Sequence, residues 1–300
     1  MMHSPLRYPG GKSDFLAIAR EIFVAGGFTG RPVVEPYAGS AAVSLGLLDF
    51  GLTPHVTLLE RDPLLYCFWQ SIFTRPEDLI VRFQDLPITL ETWQQFQPLL
   101  KVQSPGDCDL IEGGVAALFL NRANFSGILN AGPIGGKGQQ SEYKIDCRTN
   151  KDDIISRILA LSMLADKVDV IFGDAVELIG EMKNRAEFFF YLDPPYYNKG
   201  ELLYRHFYKL KQHKALAKSL AEAKFKWLLS YDVHHVVEFL YEDFHIKRQA
   251  FRYSARSPKN HDELLISNFP LPALTSFETE VVRRQRHWPQ EASELISSLG

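Results

Sequence analysis

Short apolar runs bounded by Gly, Pro or Asp recur along the chain: VVEPY (33–37), VTLLE (56–60), VDVIFG (168–173), FFFYLD (188–193) and KWLLSYD (226–232). Each is too short for a core helix and reads as a strand buried on both faces. Stretches with helical spacing follow most of them, at 41–50, 63–73, 211–224 and 233–241. Strands alternating with helices predict an α/β fold on a doubly wound, mostly parallel sheet. Two further runs, IKRQAFRYS (246–254) and ELLISNF (263–269), are joined by a short loop, which predicts an antiparallel C-terminal strand pair.

The alternation stops between residues 74 and 167, a stretch richer in Gln, Gly and Asn. It contains GPIGGKGQQS (132–141), which cannot be regular helix or strand, and it is too long for a plain connection between strand and helix. The expected division is one domain from residues 1–73 and 168–272, an inserted domain of helices and loops over 74–167, and a polar tail over 273–300 that carries RRQR (283–286).

Composition adds exclusions. The 300 residues are 46% hydrophobic and 23% charged, which rules out collagen-like, disordered and coiled-coil chains. The net charge of −3 gives no global basic field, so a nucleic-acid partner must be met by a local patch. Cys67, Cys108 and Cys147 have neither disulfide-framework nor zinc-site spacing and fit reduced thiols in a cytosolic protein. The leader MMHSPLRYPGGKS has no apolar core, and no apolar run approaches the ~18 residues of a membrane span. The expectation is a soluble, cytoplasmic protein with no membrane partner.

Candidate chemistry sits at strand ends. The first strand runs into EPYAGSAAV (35–43), where Ala38, Gly39, Ser40, Ala41 and Ala42 let the backbone turn tightly against a ligand at a helix N-terminus. The second strand ends at Glu60, 21 residues after Gly39 (60 − 39), the spacing of an acidic residue that accepts from ribose hydroxyls. A turn glycine is as often structural, and Glu60 or Asp62 also fits a cap for the next helix. This turn lacks the glycines of a dinucleotide site, and Glu35 at its edge would repel a pyrophosphate. Electrostatics therefore favours S-adenosyl-L-methionine, with its sulfonium and ammonium groups, over NAD.

In FFFYLDPPYY (188–197), Asp193-Pro194-Pro195-Tyr196 follows a buried strand and falls on the same carboxyl edge. Two prolines fix φ and remove two N–H donors, so carbonyls and the Asp193 carboxylate form an acceptor-only surface. That surface suits a planar –NH2 group, and Tyr196 can stack on the ring that bears it. Methyl transfer then needs mainly proximity and in-line orientation.

With these residues in place the sequence resembles the Dam-like DNA adenine-N6 methyltransferases. LRYPGGKS (6–13) matches their N-terminal segment, EPYAGSAAV their cofactor motif and LDPPYY their catalytic motif, and the likeness covers most of residues 6–270. It implies a Rossmann-like methyltransferase fold, with 74–167 as the target-recognition domain. It also implies a cofactor pocket of Tyr8, Lys12, Pro36, Tyr37, Ala38, Gly39 and Ser40, Glu60 on the ribose, Asp174 on the cofactor's adenine amine, and Asp193 facing both cofactor and target amine. Departures lie in the central segment. Ser126 stands where the family has Asn, Asn130 falls where a basic residue is common, and 131–146 replaces the F-N-V-P stretch. GATC specificity does not carry over. The variant is more similar to phage-borne and restriction-associated relatives, which implies a cognate restriction or phage-encoded partner and a monomer or dimer.

For double-stranded DNA, basic runs lie at Lys199, Arg205, Lys209, Lys211, Lys214 and Lys218, and at Lys247, Arg248, Arg252, Arg256 and Lys259. Each run also fits an ordinary solvated face. Candidate base readers are Arg122, Asn124, Lys137, Gln139 and Gln140, with Tyr197 beside the catalytic motif. The functional expectation is N6 methylation of a flipped-out adenine in duplex DNA. The same acceptor surface would serve cytosine N4, RNA or a protein amide, and an inactive DNA-binding subunit could keep the same fold.

Overall fold

The apolar runs become the strands of one sheet. The computed structural model describes residues 4–7, 13–198, 200, 205–252, 260–274 and 279–281. Among them, β1 (Val33–Glu35), β2 (Val56–Glu60), β3 (Val168–Phe172), β4 (Phe189–Leu192) and β5 (Lys226–Asp232) run parallel. β6 (His245–Arg252) and β7 (Asn260–Ser267) pair antiparallel as expected, and β7 inserts between β5 and β6. The order across the sheet is β3-β2-β1-β4-β5-β7-β6-β8. The chain winds outward from β1 to β3, then returns to lay β4 on β1's other side. β1 and β4 therefore flank a topological switch point, where an open α/β sheet leaves a crevice beyond its strand ends.

Side-chain alternation feeds two cores. Val33, Leu58, Phe189, Tyr191 and Leu228 face one apolar cluster, whereas Val34, Leu59, Phe190, Leu192 and Leu229 face the other. Helices cover both faces. α1 (Ser13–Ala25), α2 (Ala42–Asp49) and α3 (Pro63–Thr74) pack into the first core, and α8 (Ala175–Met182), α9 (Leu210–Ala221) and α10 (His235–Leu240) into the second. Asp62 starts α3 by accepting from the Leu64 and Leu65 N–H groups, with Pro63 at the first helical position.

Residues 74–167 fold as α4 (Pro76–Gln84), α5 (Leu90–Phe96), α6 (Leu110–Ala123) and α7 (Lys151–Ser162) with short 3-10 turns between them. Their apolar residues, including Leu79, Phe83, Trp93, Phe96, Phe119 and Ile158, belong to the same cluster as β1, β2 and α3. The segment is thus a helical layer on the sheet and shares its core, rather than a second globule. α6 is apolar on all sides and is buried accordingly. Gly113 and Gly114 allow it to lie against α3: a Cβ on Gly114 would meet the Cys67 carbonyl oxygen at 3.1 Å and the Phe68 Cα at 3.2 Å.

The expected tail is corrected at one point. β8 (Thr279–Val281) pairs antiparallel with β6 and extends the sheet edge. Three polar or β-branched residues outside any apolar run give no periodicity to read. No helix of the described residues is long and apolar enough to cross a membrane.

Candidate active site

At the end of β1 the chain turns through Pro36–Ala41 before α2 begins. Gly39 takes φ +47 there, a left-handed conformation that glycine adopts without strain. Its N–H donates to Glu60 Oε2 at 3.1 Å, and its carbonyl accepts from the Trp69 indole N–H at 3.0 Å. Glu35 is buried and accepts from the Ser44 N–H (3.2 Å) and hydroxyl, so it caps the first turn of α2 from the strand side.

Glu60 is also buried. Its Oε1 accepts from the Arg61 and Asp62 N–H groups, both at 2.9 Å. Removal from water, reinforced by the neighbouring Asp62 charge, pushes its carboxyl up to about 7, against the pull of three N–H donors. Asp62 forms a second pair: Arg205 donates to both its oxygens, at 2.9 and 2.8 Å, and to the Leu100 carbonyl.

A cleft opens where these elements meet. Pro36, Tyr37, Ala38, Gly39, Ser40 and Glu60 line it together with Asp193 and Pro195 from the other side of the switch point. Ile128, Leu129 and Asn130 from the loop after α6 also line it, as do Arg205, His206 and Tyr208. The Tyr37 and Tyr208 hydroxyls are 2.9 Å apart, and burial pushes Tyr208 up to about 12. Asp174 caps α8 through the Val176 and Glu177 N–H groups and pairs with Arg61 at 2.6 Å. It stands beside the cleft, whose wall includes its neighbours Arg61 and Ala175.

Charge in the cleft is mainly negative. Glu35, Glu60, Asp62 and Asp193 line it, and its two arginines, Arg61 and Arg205, are each bound to an aspartate. Such a wall suits a ligand with positive groups and hydroxyls and repels phosphate.

The chain leaves β4 through Asp193-Pro194-Pro195-Tyr196. The Ser230 hydroxyl, on adjacent β5, donates to Asp193 Oδ1 at 2.8 Å. Tyr196 donates its hydroxyl to Glu263 on β7 at 2.9 Å. Tyr197 stacks on His234, with ring centroids 4.3 Å apart. The Tyr197 and Asn198 N–H groups donate to the two oxygens of Asp232, at 2.8 and 2.9 Å. Ser230, Asp232 and Glu263 were missed in the sequence; their signal was position alone, since Ser230 and Asp232 close β5, the strand beside β4.

The expected DNA contacts fare differently. Asn124 is corrected: it is fully buried, accepts from the Trp93 indole N–H at 2.7 Å, and donates to the Ile128 and Leu129 carbonyls. Gln139 is spent inside its own loop, bonded to Ile134, Gly136 and Ile145 backbone groups. Arg122 donates to the Pro5 and Arg148 carbonyls, and burial with nearby Arg157 lowers it to about 10. Lys137 is exposed.

In the basic runs, Arg205 is corrected to a buried ion pair, Lys247 donates to the Leu271 and Pro272 carbonyls, and Arg248 pairs with Glu238. Lys209, Lys211 and Lys218 remain exposed. Tyr8, Lys12, Lys199, Arg256 and Lys259 lie outside the described residues, and the side chain of Arg252 lies outside the description as well.

The leader is anchored beside the cleft. Buried Asn121 accepts from the Arg7 N–H at 2.6 Å and donates to the Arg7 and Gly127 carbonyls at 2.7 and 2.8 Å. Arg157 adds a bond to the Ser4 carbonyl at 3.2 Å.

No curated protein matches the chain by sequence. Solved structures with a similar path include yhhF of Escherichia coli, a candidate methyltransferase, at 10% identity over 88% of this chain and 90% of that one (TM-score 0.39). A candidate RNA methyltransferase from Pyrococcus horikoshii is 11% identical over 87% and 91% (TM-score 0.36). The rRNA methyltransferase aviRa from Streptomyces viridochromogenes is 12% identical over 84% of each chain (TM-score 0.32). Residues 8–255 match the sequence profile of the family described as D12 class N6 adenine-specific DNA methyltransferase, a span that holds the cofactor turn, Glu60 and the Asp-Pro-Pro-Tyr loop. The chain belongs to that family and is a methyltransferase.

Proposed function

We propose that the protein transfers the methyl group of S-adenosyl-L-methionine to the N6 amine of an adenine flipped out of double-stranded DNA. The observation that carries this reading is the Asp193-Pro194-Pro195 loop, which shares one acidic cleft with Gly39 and Glu60. Bound S-adenosylmethionine would supply an electrophilic methyl on a sulfonium. Glu60 would accept from its ribose hydroxyls, the Pro36–Ser40 turn would lie along it, and Asp174 would accept from its adenine amine. Family likeness adds Tyr8 and Lys12, which follow the anchored leader.

Asp193 and the Pro194 carbonyl would accept the two hydrogens of the target amine, aiming its lone pair across the switch point. Tyr196 offers the flanking ring. Pro194 and Pro195 bring no N–H donors, and the Tyr197 and Asn198 N–H groups beyond them are held by Asp232, so an incoming amine meets acceptors at Asp193 and Pro194. Withdrawing one base from the stack costs a few kcal/mol, and aromatic stacking at about 1–3 kcal/mol offsets much of it. Exposed Lys209, Lys211 and Lys218 on and before α9 suit backbone phosphates, which position the duplex without reading it. Lys137 and Gln140 are the remaining exposed candidates for reading bases.

The test is mass spectrometry of nucleosides from unmethylated plasmid DNA incubated with the protein and S-adenosylmethionine. N6-methyldeoxyadenosine is expected. Removing a preorganised hydrogen-bond partner typically costs about 10²–10³ in rate, so Asp193→Ala should lower turnover by that factor while cofactor still binds. N4-methylcytosine would overturn the adenine assignment, and no methylated nucleoside despite cofactor binding would overturn the DNA substrate.

A further inference from the structure

Accepting an amine requires that the loop after β4 be held in place by something other than its own backbone. Pro194 and Pro195 cannot donate to a sheet ladder, and β4 ends at Leu192, paired with Leu229 of β5. Beyond that point the loop is held from β5 and β7 by side chains. Ser230 is fully buried, and its hydroxyl donates to Asp193 Oδ1 at 2.8 Å. Two residues on, the Asp232 carboxylate takes the Tyr197 and Asn198 N–H groups at 2.8 and 2.9 Å, one on each oxygen. Asp232 faces Glu263 in register on β7, and Glu263 takes the Tyr196 hydroxyl at 2.9 Å.

Bonds to a carboxylate are about twice as strong as neutral ones, so this is a firm clamp. It grips the reactive side chain at one end and the loop backbone at the other. We propose that Ser230 and Asp232 are positioning residues for methyl transfer: Ser230 sets the rotamer of Asp193, and Asp232 sets the course of the loop that follows. This rests on the reading of Asp193 as the acceptor for the target amine. Neither side chain lines the cofactor cleft, so their effect belongs to the transfer step rather than to cofactor binding.

The test pairs kinetics with backbone exchange in the whole protein. Because a misplacement of about 1 Å can cost 10²-fold, Ser230→Ala and Asp232→Asn should each lower kcat by at least about tenfold. The dissociation constant for S-adenosylmethionine should stay within about threefold. Ser230→Thr, which keeps the hydroxyl, should recover most of the rate lost in Ser230→Ala. Amide exchange at Tyr197 and Asn198 should accelerate at least about tenfold in Asp232→Asn and stay unchanged in Ser230→Ala. Cofactor affinity falling in step with kcat, or unchanged exchange in Asp232→Asn, would overturn the assignment. If the wild-type protein modifies no plasmid, the proposed function fails, while the exchange measurement still decides whether Asp232 holds the loop.

Discussion

Glu60 is where pH acts on this site. Its carboxyl is ordinarily near 4.5 and in the fold stands near 7, because burial and Asp62 disfavour its charge. Below about pH 4.5 both folded and unfolded chains are protonated and nothing is lost. As pH rises from there to 7 the unfolded chain ionises first, so stability falls, by on the order of 3 kcal/mol in total, and then levels off. Ribose hydroxyls donating to this group would favour its charged form and release its proton. Cofactor affinity measured by calorimetry should therefore weaken by up to about tenfold from pH 7 to pH 6. Glu60→Gln should abolish that slope; an unchanged slope would assign it to another group. Asn121 carries a different expectation. Asn121→Ala strips donors from two carbonyls at about 1–3 kcal/mol each, so tryptic cleavage after Arg7 should speed up by about tenfold or more. That Gly39, Glu60 and Asp193 would share one edge of the sheet was legible, because strand ends advertise themselves in a sequence. Asn121, Asn124 and Ser230 were not. Their partners lie far along the chain or in backbone groups, and a polar letter does not say whether it faces water.

At the scale of elements, the strands were readable because burial on both faces leaves runs with no polar interruption. The helical layer was less so. α6 is apolar all round and carries no stripe to show which face meets the sheet, so sharing of the core could not be seen in LIEGGVAALFL. Its two glycines are the visible trace of contact. At Gly114 a side chain would press on α3 backbone atoms, which cannot rotate away. Gly114→Val should cost about 1–3 kcal/mol by overpacking, lowering the melting temperature by several degrees at roughly 2 °C per kcal/mol for a chain of this size. Gly180, with open space around its Cα, is the matched control, and Gly180→Ala should be neutral or slightly stabilising.

Across the whole molecule, Arg205 joins parts distant in sequence. It follows the Asp-Pro-Pro-Tyr loop, yet it binds Asp62 just beyond β2 and the Leu100 carbonyl in the helical layer. The charge pattern suggested a phosphate contact; the fold turns the same residue inward, because Asp62 already needed a partner near the buried Glu60. Removing one member of a buried pair leaves the other uncompensated, at about 3–5 kcal/mol. Arg205→Ala should thus lower the melting temperature and weaken the cofactor, with little change in the salt dependence of DNA binding. A strongly reduced salt slope would return Arg205 to the DNA surface.

The strand order has a consequence in time. β7 is made after β6 yet lies between β5 and β6, with Glu263 gripping Tyr196. While the chain is being synthesised, β1 to β5 and the acidic cleft can assemble first. The edge of β5 waits through another 35 residues (267 − 232), about 2–7 s at 5–20 residues per second. During that interval the nascent protein has the acidic cleft but not the clamp on the Asp-Pro-Pro-Tyr loop. A chain ending at residue 255 is therefore expected to transfer nothing. The gap would keep a half-made methyltransferase from acting: transfer comes only with a completed sheet.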